Sequence, residues 1–320
     1  MRKYLLLLLA LCLAACAPKA PRYANRAAAI AAQIHDPASK YVVVVCHRGD
    51  WRNFPENSIP AIESIIRMGA DMMELDLKLT ADSVLVLSHD GDVRRCTNFD
   101  WVFRDQPGKS ARIQDLTLAE IKSLSLKRAH DVTIDTLRMP TLREALAVCK
   151  DRICVNVDQG FGYYDQVMEV ARELGVVDQL LIKSGHQPET VREKMGRYPE
   201  QMMYMPVVGL NNASGQLLLQ TFLEEGPAPL AFELCWNSQD GVFEKACREV
   251  LDNGSKVWVN TIWASLCGGD GHDDDAAFIA GDPALVYRPL LEKGVSMIQT
   301  DRPEFLIGYL TREGRHTLPE

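Results

Sequence analysis

Residues 42–58 of this 320-residue chain read VVVVCHRGDWRNFPENS. Five β-prone residues, 42–46, are followed at once by His47, Arg48 and Gly49. The apolar run is continuous rather than alternating, which is typical of a strand buried on both faces of a parallel sheet. The stretch therefore predicts a buried strand that delivers polar side chains to the carboxyl end of a sheet.

Apolar, β-rich runs of this kind recur along the chain. With the first, they cover residues 41–46, 72–77, 84–88, 153–158, 179–183, 202–205, 230–234, 256–261 and 296–299. Amphipathic segments lie between most of these runs, at 58–68, 141–150, 165–174 and 283–293. The alternation predicts a parallel α/β sheet, and a chain of this size favours a closed (β/α)8 TIM barrel over an open doubly wound sheet.

Two irregularities qualify the barrel prediction. Nine runs exceed the eight strands of such a barrel, so we expect one run to be accessory or wrongly assigned. Residues 80–83, between the second and third runs, are too few for a helical crossover. Residues 92–139 predict a small insertion after the third strand, with a helix over 117–126. No internal repeat or Pro/Gly/Ser-rich linker divides the chain, so we expect one barrel domain over 41–312.

The first residues have the layout of an export signal. Two basic residues precede an apolar run over 5–13, which is too short to span a bilayer. The sequence LAAC, residues 13–16, resembles a bacterial lipobox, in which cleavage precedes a cysteine that is then lipidated. We therefore expect a lipoprotein-type signal peptide at 1–15, a lipid on Cys16 and an N-terminal tether at 16–40. The alternative is an ordinary signal peptide with an incidental cysteine.

A lipid on Cys16 would make the mature protein an exported, membrane-anchored lipoprotein without a transmembrane helix. Ala17 and Pro18 stand where an aspartate is typical of retention in the inner membrane. By this resemblance the expected location is the outer membrane, with the protein facing the periplasm or the cell surface.

Charge and cysteine content limit the other partners. The net charge of −8 argues against a general nucleic-acid binder, which needs a basic surface. Beyond Cys12 and Cys16 there are seven cysteines, an odd number without CxxC spacing. This pattern argues against a zinc site and against a full set of disulfides, and it leaves a single disulfide open.

Polar side chains stand at the ends of the first three apolar runs. They are His47 and Arg48 after the first, Glu74 and Asp76 at the end of the second, and His89 and Asp90 after the third. Glu74 and Asp76 are two residues apart and therefore share one strand face. In a barrel, the carboxyl ends of the strands meet at one mouth. Each group alone has a structural explanation, but their coincidence predicts a site there.

The residue types indicate a chemistry. Paired carboxylates in an apolar strand are costly unless they hold a cation or a basic partner, and they suit Ca²⁺ or Mg²⁺ better than zinc. Two histidines can act in turn as base and acid, and an arginine offers a fork of donors to a phosphate. Together these groups predict hydrolysis of a phosphoester.

Six blocks of the sequence resemble a known family. HRGDWRNFPENSIPAI, ELDLKLTADSVLVLSHD, VRRCTN, LTLAEIKSL, MPTLREAL and GVSMIQTDRPEFL look like the ordered signature blocks of the glycerophosphodiester phosphodiesterase family. The resemblance, to a bacterial lipoprotein member, implies a (β/α)8 barrel and a small glycerophosphodiester substrate. It also implies that His47 and His89 are the acid–base pair, that Arg48 and Lys183 contact the phosphate, and that Glu74 and Asp76 bind one divalent cation.

The fourth predicted strand departs from the family pattern. Where the family usually shows Glu-x-Lys, this chain has Asn156, Val157 and Asp158. The missing glutamate is commonly the third metal ligand, and the missing lysine contacts phosphate. Asp158 shares a strand face with Asn156, so we expect it to supply the third carboxylate, and Lys183 to restore the positive charge.

Further candidates follow from the resemblance and from strand ends. Glu56 is implied to lie near the cation, or else it is a turn or cap residue. Glu233 points into the mouth or is a salt-bridged strand end, and Asn260 and Trp263 are candidates for contact with the glycerol end or its head group. GGDGHDDDAAF, residues 268–278, lacks EF-hand spacing and predicts a polar lid leading into a capped helix, from which His272 is a candidate to reach the substrate.

The expected function is metal-dependent hydrolysis of glycerophosphodiesters to glycerol 3-phosphate and an alcohol by His/His acid–base catalysis. The attacking group is water or the neighbouring hydroxyl of the substrate. Two alternatives remain: a phospholipase C-like phosphodiesterase acting on phosphoinositide-type lipids, and a non-catalytic lipoprotein that binds phosphates or polyols. The altered fourth strand motivates the second alternative.

Overall fold

The computed structural model of the protein describes residues 22–128, 132–225 and 228–319. Its strands, in chain order, are β1 Val43–Cys46, β2 Met72–Leu79, β3 Leu85–Leu87, β4 Leu126–Arg128, β5 Val132–Ile134, β6 Cys154–Asp158, β7 Leu180–Ser184, β8 Met203–Gly209, β9 Ala231–Cys235, β10 Lys256–Asn260 and β11 Val295–Thr300. Cys16, the predicted lipidation site, lies outside the described residues. Within these ranges, none of the helices has both the length and the apolar character needed to cross a bilayer.

Eight of these strands close into a parallel barrel. The order around it is β1, β11, β10, β9, β8, β7, β6 and β2, and β2 pairs with β1 to complete the ring. The continuous apolar runs become strands buried on both faces, by the barrel interior and by the surrounding helices. The predicted (β/α)8 TIM barrel is confirmed.

The accessory run is the third one. Strand β3 pairs with β2 in the antiparallel sense, outside the barrel ring. The connection is too short to cross over, and it folds back as a tight turn in which Thr80 and Val84 exchange hydrogen bonds and Ser83 takes a φ of 62°. Nine apolar runs and an eight-stranded barrel are thereby reconciled.

The helices cover the outside of the ring and carry clear start and stop signals. They are α1 Arg26–His35, α2 Ile59–Met68, α3 Phe99–Val102, α4 Leu118–Ser123, α5 Leu142–Cys149, α6 Tyr164–Leu174, α7 Pro188–Met195, α8 Ala213–Glu224, α9 Val242–Asp252, α10 Asp274–Ala280, α11 Ala284–Glu292 and α12 Pro303–Arg312. For example, Ser58 caps α2 by accepting from the Ala61 N–H, and Gly69, with a φ of 87°, ends it.

Helix α1 packs against the barrel, although the sequence analysis assigned its residues to a tether. Ile30 and Ile34 lie four residues apart on one helical face and are fully buried. They belong to an apolar cluster with residues of the barrel interior, among them Val43 and Val45 of β1 and Met72 of β2. The folded unit therefore includes residues upstream of the predicted barrel boundary.

The insertion between β3 and α5 has an apolar cluster of its own. It contains α3, α4 and the hairpin formed by β4 and β5. Its buried apolar side chains include Val93, Phe99, Ile113, Ile121 and Leu126. Helix α4 begins with a capping box between Thr117 and Glu120, as the sequence over 117–126 predicts, and ends sooner because the chain enters β4. The insertion is a small folded unit beside the barrel.

The seven cysteines of the described ranges are free. All but Cys235 are buried, and several lie inside the apolar runs of barrel strands. Burial raises the pKa of these thiols, for example to about 12 for Cys149. They are therefore small apolar core residues rather than reactive groups.

Candidate active site

His47 follows β1 and is paired with a carboxylate that follows β11. Its Nδ1 lies 2.8 Å from Oδ1 of Asp301, and Trp51 donates its indole N–H to the same oxygen at 2.6 Å. The carboxylate accepts, so Nδ1 carries a proton and Nε2 takes no part in this pair. Both side chains of the pair are buried, at 8% and 5% exposure. The sequence analysis missed Asp301, whose signal was a carboxylate directly after the last strand.

A second buried carboxylate holds Asp301 in place. Asp274, the first residue of α10, accepts the backbone N–H of Asp301 at 2.7 Å. It also accepts the hydroxyl groups of Thr261, Tyr287 and Thr300, at 2.6, 2.7 and 2.8 Å. Burial raises the pKa of Asp274 to about 6, against the lowering effect of these hydrogen bonds. Sequence reasoning read the acidic residues 273–275 only as charges at a helix N-terminus and missed this role.

His89 forms a matching pair with its neighbour in sequence. Its Nδ1 lies 2.8 Å from Oδ1 of Asp90, and the two side chains are 43% and 32% exposed. Arg95 of the insertion donates to the other oxygen of Asp90 at 2.5 Å. This hydrogen bond from Arg95, against the effect of partial burial, lowers the pKa of Asp90 to about 2. Two histidine–carboxylate pairs, each bonded through Nδ1, therefore follow strands of the same sheet.

Three carboxylates converge on the neighbouring strands β2 and β6. Glu74 and Asp76 lie on β2, and Asp158 ends β6 beside Asp76 in the parallel register. One oxygen atom of each of the three lies within 4.8 Å of the others. Burial and the charges of Asp76 and Asp158 raise the pKa of Glu74 well above its usual range. The structure thus brings together the three acids that the sequence predicted as metal ligands.

Donors from three strained positions surround this cluster. The backbone N–H of Arg48 binds Glu74 at 2.8 Å, and the side-chain amides of Asn57 and Gln159 each donate to Asp76 at 3.0 Å. All three donor residues have a φ of 54–55°, a conformation that costs non-glycine residues about 1 kcal/mol or more. At each of these positions the strained backbone conformation directs a hydrogen-bond donor at Glu74 or Asp76. Asn57 and Gln159 were not among the predicted site residues.

Lys183 of β7 is buried next to the cluster. Its Nζ lies 2.9 Å from a carboxylate oxygen of Glu233 and 3.7 Å from one of Asp158. Burial alone would lower the pKa of Lys183, but the charges of Glu233 and Asp158 raise it, so the ammonium stays charged. The Glu233 carboxylate also accepts the side-chain amide of Asn260 at 2.7 Å. Glu233 is thus a salt-bridged strand end, and its partner Lys183 lies next to the acidic cluster.

The remaining predicted residues lie at different distances from this centre. Glu56 binds Arg48 through an oxygen 3.3 Å from its guanidinium and stands outside the acidic cluster. Trp263, 45% exposed, packs edge-on against His47 with ring centroids 5.6 Å apart. His272 is exposed, and within the part of the chain that the structure describes its ring contacts the Asp270 carbonyl of its own loop. The structure does not bring His272 to the site.

The protein is thus a (β/α)8 barrel that carries two histidine–carboxylate pairs and an acidic cluster. Residues 47–193 match the model of the glycerophosphoryl diester phosphodiesterase family. Residues 204–310 match the model of a domain of unknown function. Residues 47–193 are thus similar to the glycerophosphoryl diester phosphodiesterase family, and the resemblance that the sequence blocks indicate is confirmed.

Curated relatives match less than half of the chain. A glycerophosphodiester phosphodiesterase of Caldanaerobacter subterraneus is 31% identical over 149 residues, which cover 44% of this chain and 57% of that protein. Glycerophosphodiester phosphodiesterase 1 of Bos taurus is 36% identical over 121 residues, 37% of this chain and 33% of the relative. The matches thus span only part of these relatives.

Solved structures match nearly the whole fold. A glycerophosphoryl diester phosphodiesterase from Parabacteroides distasonis has a TM-score of 0.70 at 19% identity, covering 91% of this chain and 93% of its own. An Oleispira antarctica phosphodiesterase, solved in complex with the product sn-glycerol-3-phosphate, has a TM-score of 0.56 at 18% identity, with coverages of 84% and 96%. At these identities the likeness shows the barrel fold.

Proposed function

We propose that this protein hydrolyses glycerophosphodiesters to glycerol 3-phosphate and an alcohol, with one divalent cation, Ca²⁺ or Mg²⁺, as cofactor. The observation that carries the proposal is the pair of histidines, His47 and His89, each oriented through Nδ1 by a carboxylate beside the acidic cluster. The family match and the product bound to the Oleispira antarctica phosphodiesterase support this substrate class.

The acidic cluster fits a divalent cation. Glu74, Asp76 and Asp158 place three carboxylates close together at the end of buried strands, and hard cations prefer such oxygen ligands. The oxygen Oδ1 of Asn156, a residue that pairs with Glu74 across strands β2 and β6, is buried without a hydrogen-bond partner among the described residues. These three carboxylates would hold the cation. When bound, it would neutralise negative charge on the phosphoryl oxygens.

The two histidines suit acid–base catalysis. In each ring the carboxylate fixes the proton on Nδ1 and so leaves Nε2 for exchange with substrate. One Nε2 takes the proton from the attacking hydroxyl, of water or of the substrate's neighbouring carbon. The other Nε2, protonated at the start, donates its proton to the leaving oxygen as the new bond to phosphorus forms and the old one breaks. When water attacks, glycerol 3-phosphate forms directly. When the neighbouring hydroxyl of the substrate attacks, a cyclic phosphodiester forms first, and water then opens it to glycerol 3-phosphate while the two histidines exchange roles.

Arg48 and Lys183 suit phosphate binding. The Arg48 guanidinium lies beside the cluster, with Nε 3.6 Å from Asp76, and this Nε is buried without a hydrogen bond among the described residues. Lys183 places a second, buried positive charge 3.7 Å from the Asp158 carboxylate. Trp263, packed edge-on against His47, is a candidate surface for the glycerol end or the head group, as is Asn260.

Release of glycerol 3-phosphate from glycerophosphocholine tests the proposal. We expect activity with Ca²⁺ or Mg²⁺, its loss on chelation, and its return when the cation is restored. If chelation leaves the activity unchanged, the proposed role of the cation as cofactor is refuted. Products from intact phosphoinositides, measured beside those from the deacylated diester, test the phospholipase C-like alternative, and absence of turnover on both would favour a binding protein.

We also propose that the mature protein is anchored in the outer membrane through a lipid on Cys16. The support is the LAAC sequence at residues 13–16 behind a short apolar run. The experiment is fractionation of cells that express the full chain or the Cys16→Ala variant. We expect the full chain in the membrane fraction and the variant outside it. Equal membrane association of the two would contradict lipid anchoring.

A further inference from the structure

Arg95 of the insertion lies between Glu56 and Asp90, two carboxylates that contact proposed site residues. Its guanidinium binds Glu56 through two hydrogen bonds, of 2.6 and 2.8 Å, and binds Asp90 through Nε at 2.5 Å. Glu56 in turn contacts Arg48, and Asp90 contacts His89. We infer that Arg95 is a positioning residue that sets the orientation of both Arg48 and His89 from outside the barrel. The inference rests on the proposed function.

The contacts use the guanidinium as a bridge. Nε and both terminal nitrogens of Arg95 are directed at carboxylates, so the fork is fully engaged in two pairs. The bidentate pair fixes the plane of the Glu56 carboxylate, and Oε1, which accepts from Arg95, also accepts from Arg48. The Nε hydrogen bond fixes the Asp90 carboxylate, whose other oxygen faces Nδ1 of His89. A lysine has no planar fork and cannot hold both carboxylates in this way.

The charges of the bridge agree with this role. Burial would raise the pKa of Glu56, but the hydrogen bonds from Arg95 and the charge of Arg48 lower it. The carboxylates of Glu56 and Asp90 raise the pKa of Arg95. All three groups therefore remain ionised, and their hydrogen bonds are of the stronger, charge-assisted kind. Only 15% of the Glu56 side chain is exposed, so solvent screens this pair less than an ordinary surface pair.

The neighbouring arginine gives a matched control. Arg94 and Arg95 are adjacent in the insertion and equally exposed, at 48%. Arg94 also binds two carboxylates, but these are Asp92 and Asp100, whose side chains are 43% and 75% exposed and which contact none of the described site residues. Removal of either arginine therefore deletes the same side chain from the same surface. Only removal of Arg95 is expected to change the orientation of His89 and Arg48.

The first measurement is the turnover of the full chain on glycerophosphocholine. We expect Arg95→Ala to lower kcat by roughly tenfold or more, since a misplaced acid–base group loses part of its effect. We expect KM to rise severalfold because Arg48 is released, and Arg95→Lys to remain impaired because it lacks the fork. Arg94→Ala should match the wild type. Added guanidinium ion should restore part of the activity of Arg95→Ala.

The second measurement does not depend on turnover. In ¹⁵N-labelled full chain, the ring nitrogens of His89, assigned by their loss in His89→Asn, report which nitrogen carries the proton. We expect the Nδ1–H form in the wild type and in Arg94→Ala, and a shift towards the Nε2–H form in Arg95→Ala and Arg95→Lys. The thermal midpoints of the two alanine variants should agree, which separates positioning from loss of fold.

Two outcomes would overturn the inference. One is equal kcat and KM in the variants of Arg94 and Arg95, with an active wild type. The other is an unchanged tautomer of His89 in both Arg95 variants. Failure of the wild type to release glycerol 3-phosphate would instead count against the proposed function, and the tautomer measurement would then still decide the role of Arg95.

Discussion

The two histidine–carboxylate pairs share one chemistry and differ in construction. His47 and Asp301 come from opposite ends of the chain, are both buried and are held by Asp274. His89 and Asp90 are consecutive residues, partly exposed, and depend on Arg95 of the insertion. Interactions in a buried, less polar environment are stronger and less screened than those at the rim. Buried residues of the barrel therefore hold the imidazole of His47, whereas Arg95 at the surface holds that of His89 through Asp90.

The largest expected effect comes from deletion of either imidazole. His47→Ala and His89→Ala should each lower kcat by roughly 10² or more, because an acid–base group is lost. The measurement is steady-state release of glycerol 3-phosphate, with circular dichroism to show that the fold survives. Near-normal rates in either variant would remove that histidine from the proposed mechanism.

The next effect distinguishes the two carboxylates. We expect Asp301→Asn to lower kcat more than Asp90→Asn, by about 10² against about tenfold, because water cannot replace the lost carboxylate charge beside the buried imidazole. Asp301→Asn should also cost about 1–3 kcal/mol of stability, since a neutral amide oxygen accepts more weakly than the buried carboxylate from His47 and Trp51. Kinetics and urea denaturation of both variants measure this. Equal losses of kcat would mean that burial does not separate the pairs.

A smaller effect concerns the support of the buried pair. The pKa of Asp274 is raised to about 6 from an unfolded value of 3.8, so the folded state keeps a proton that the unfolded state has released between these pH values. Its contribution to stability is therefore present below pH 3.8 and lost as the pH rises through 6.

Asp274→Asn removes this dependence. We expect the free energy of unfolding of the wild type, relative to that of the variant, to fall by about 2 kcal/mol between pH 4 and pH 7. Urea denaturation of both proteins across this range is the measurement. A difference that stays constant with pH would show that Asp274 is ionised throughout.

The smallest expected effect is the response to salt. Because the His89 pair and its bridge are partly exposed, an increase in ionic strength from about 0.05 to about 0.5 M should lower the wild-type kcat by about twofold or less. Asp90→Asn should lose this dependence and Asp301→Asn should keep it. A salt response that persists in Asp90→Asn would place its origin elsewhere.

Much of the fold was predictable because it depends on local patterns. Continuous apolar runs and the amphipathic segments between them predict the parallel barrel, and the short connection at 80–83 already indicated an irregular third run. The identity of the accessory strand needed the structure, since β3 is as apolar as the barrel strands. The packing of α1 was missed because nothing in its sequence says which surface covers it.

The site was predictable where its groups lie on one strand and not where they depend on register. Glu74 and Asp76 share a face through a spacing that the sequence shows directly. The position of Asp158 beside Asp76 depends on the alignment of two strands far apart in the chain. Asp301, Asp274 and Arg95 were missed for the same reason, since their partners lie across the barrel closure or in the insertion.

The insertion has an apolar cluster of its own, and this affects how heat inactivates the protein. Its side chains, such as Phe99 and Ile121, form a unit apart from the layer between barrel and helices. Small apolar clusters open at lower free energy than large ones. On heating, this lobe would loosen first and withdraw Arg95 while the eight strands remain closed. The protein would then lose activity at a temperature below that at which the barrel unfolds. The stability of the small apolar cluster in the insertion would set that temperature.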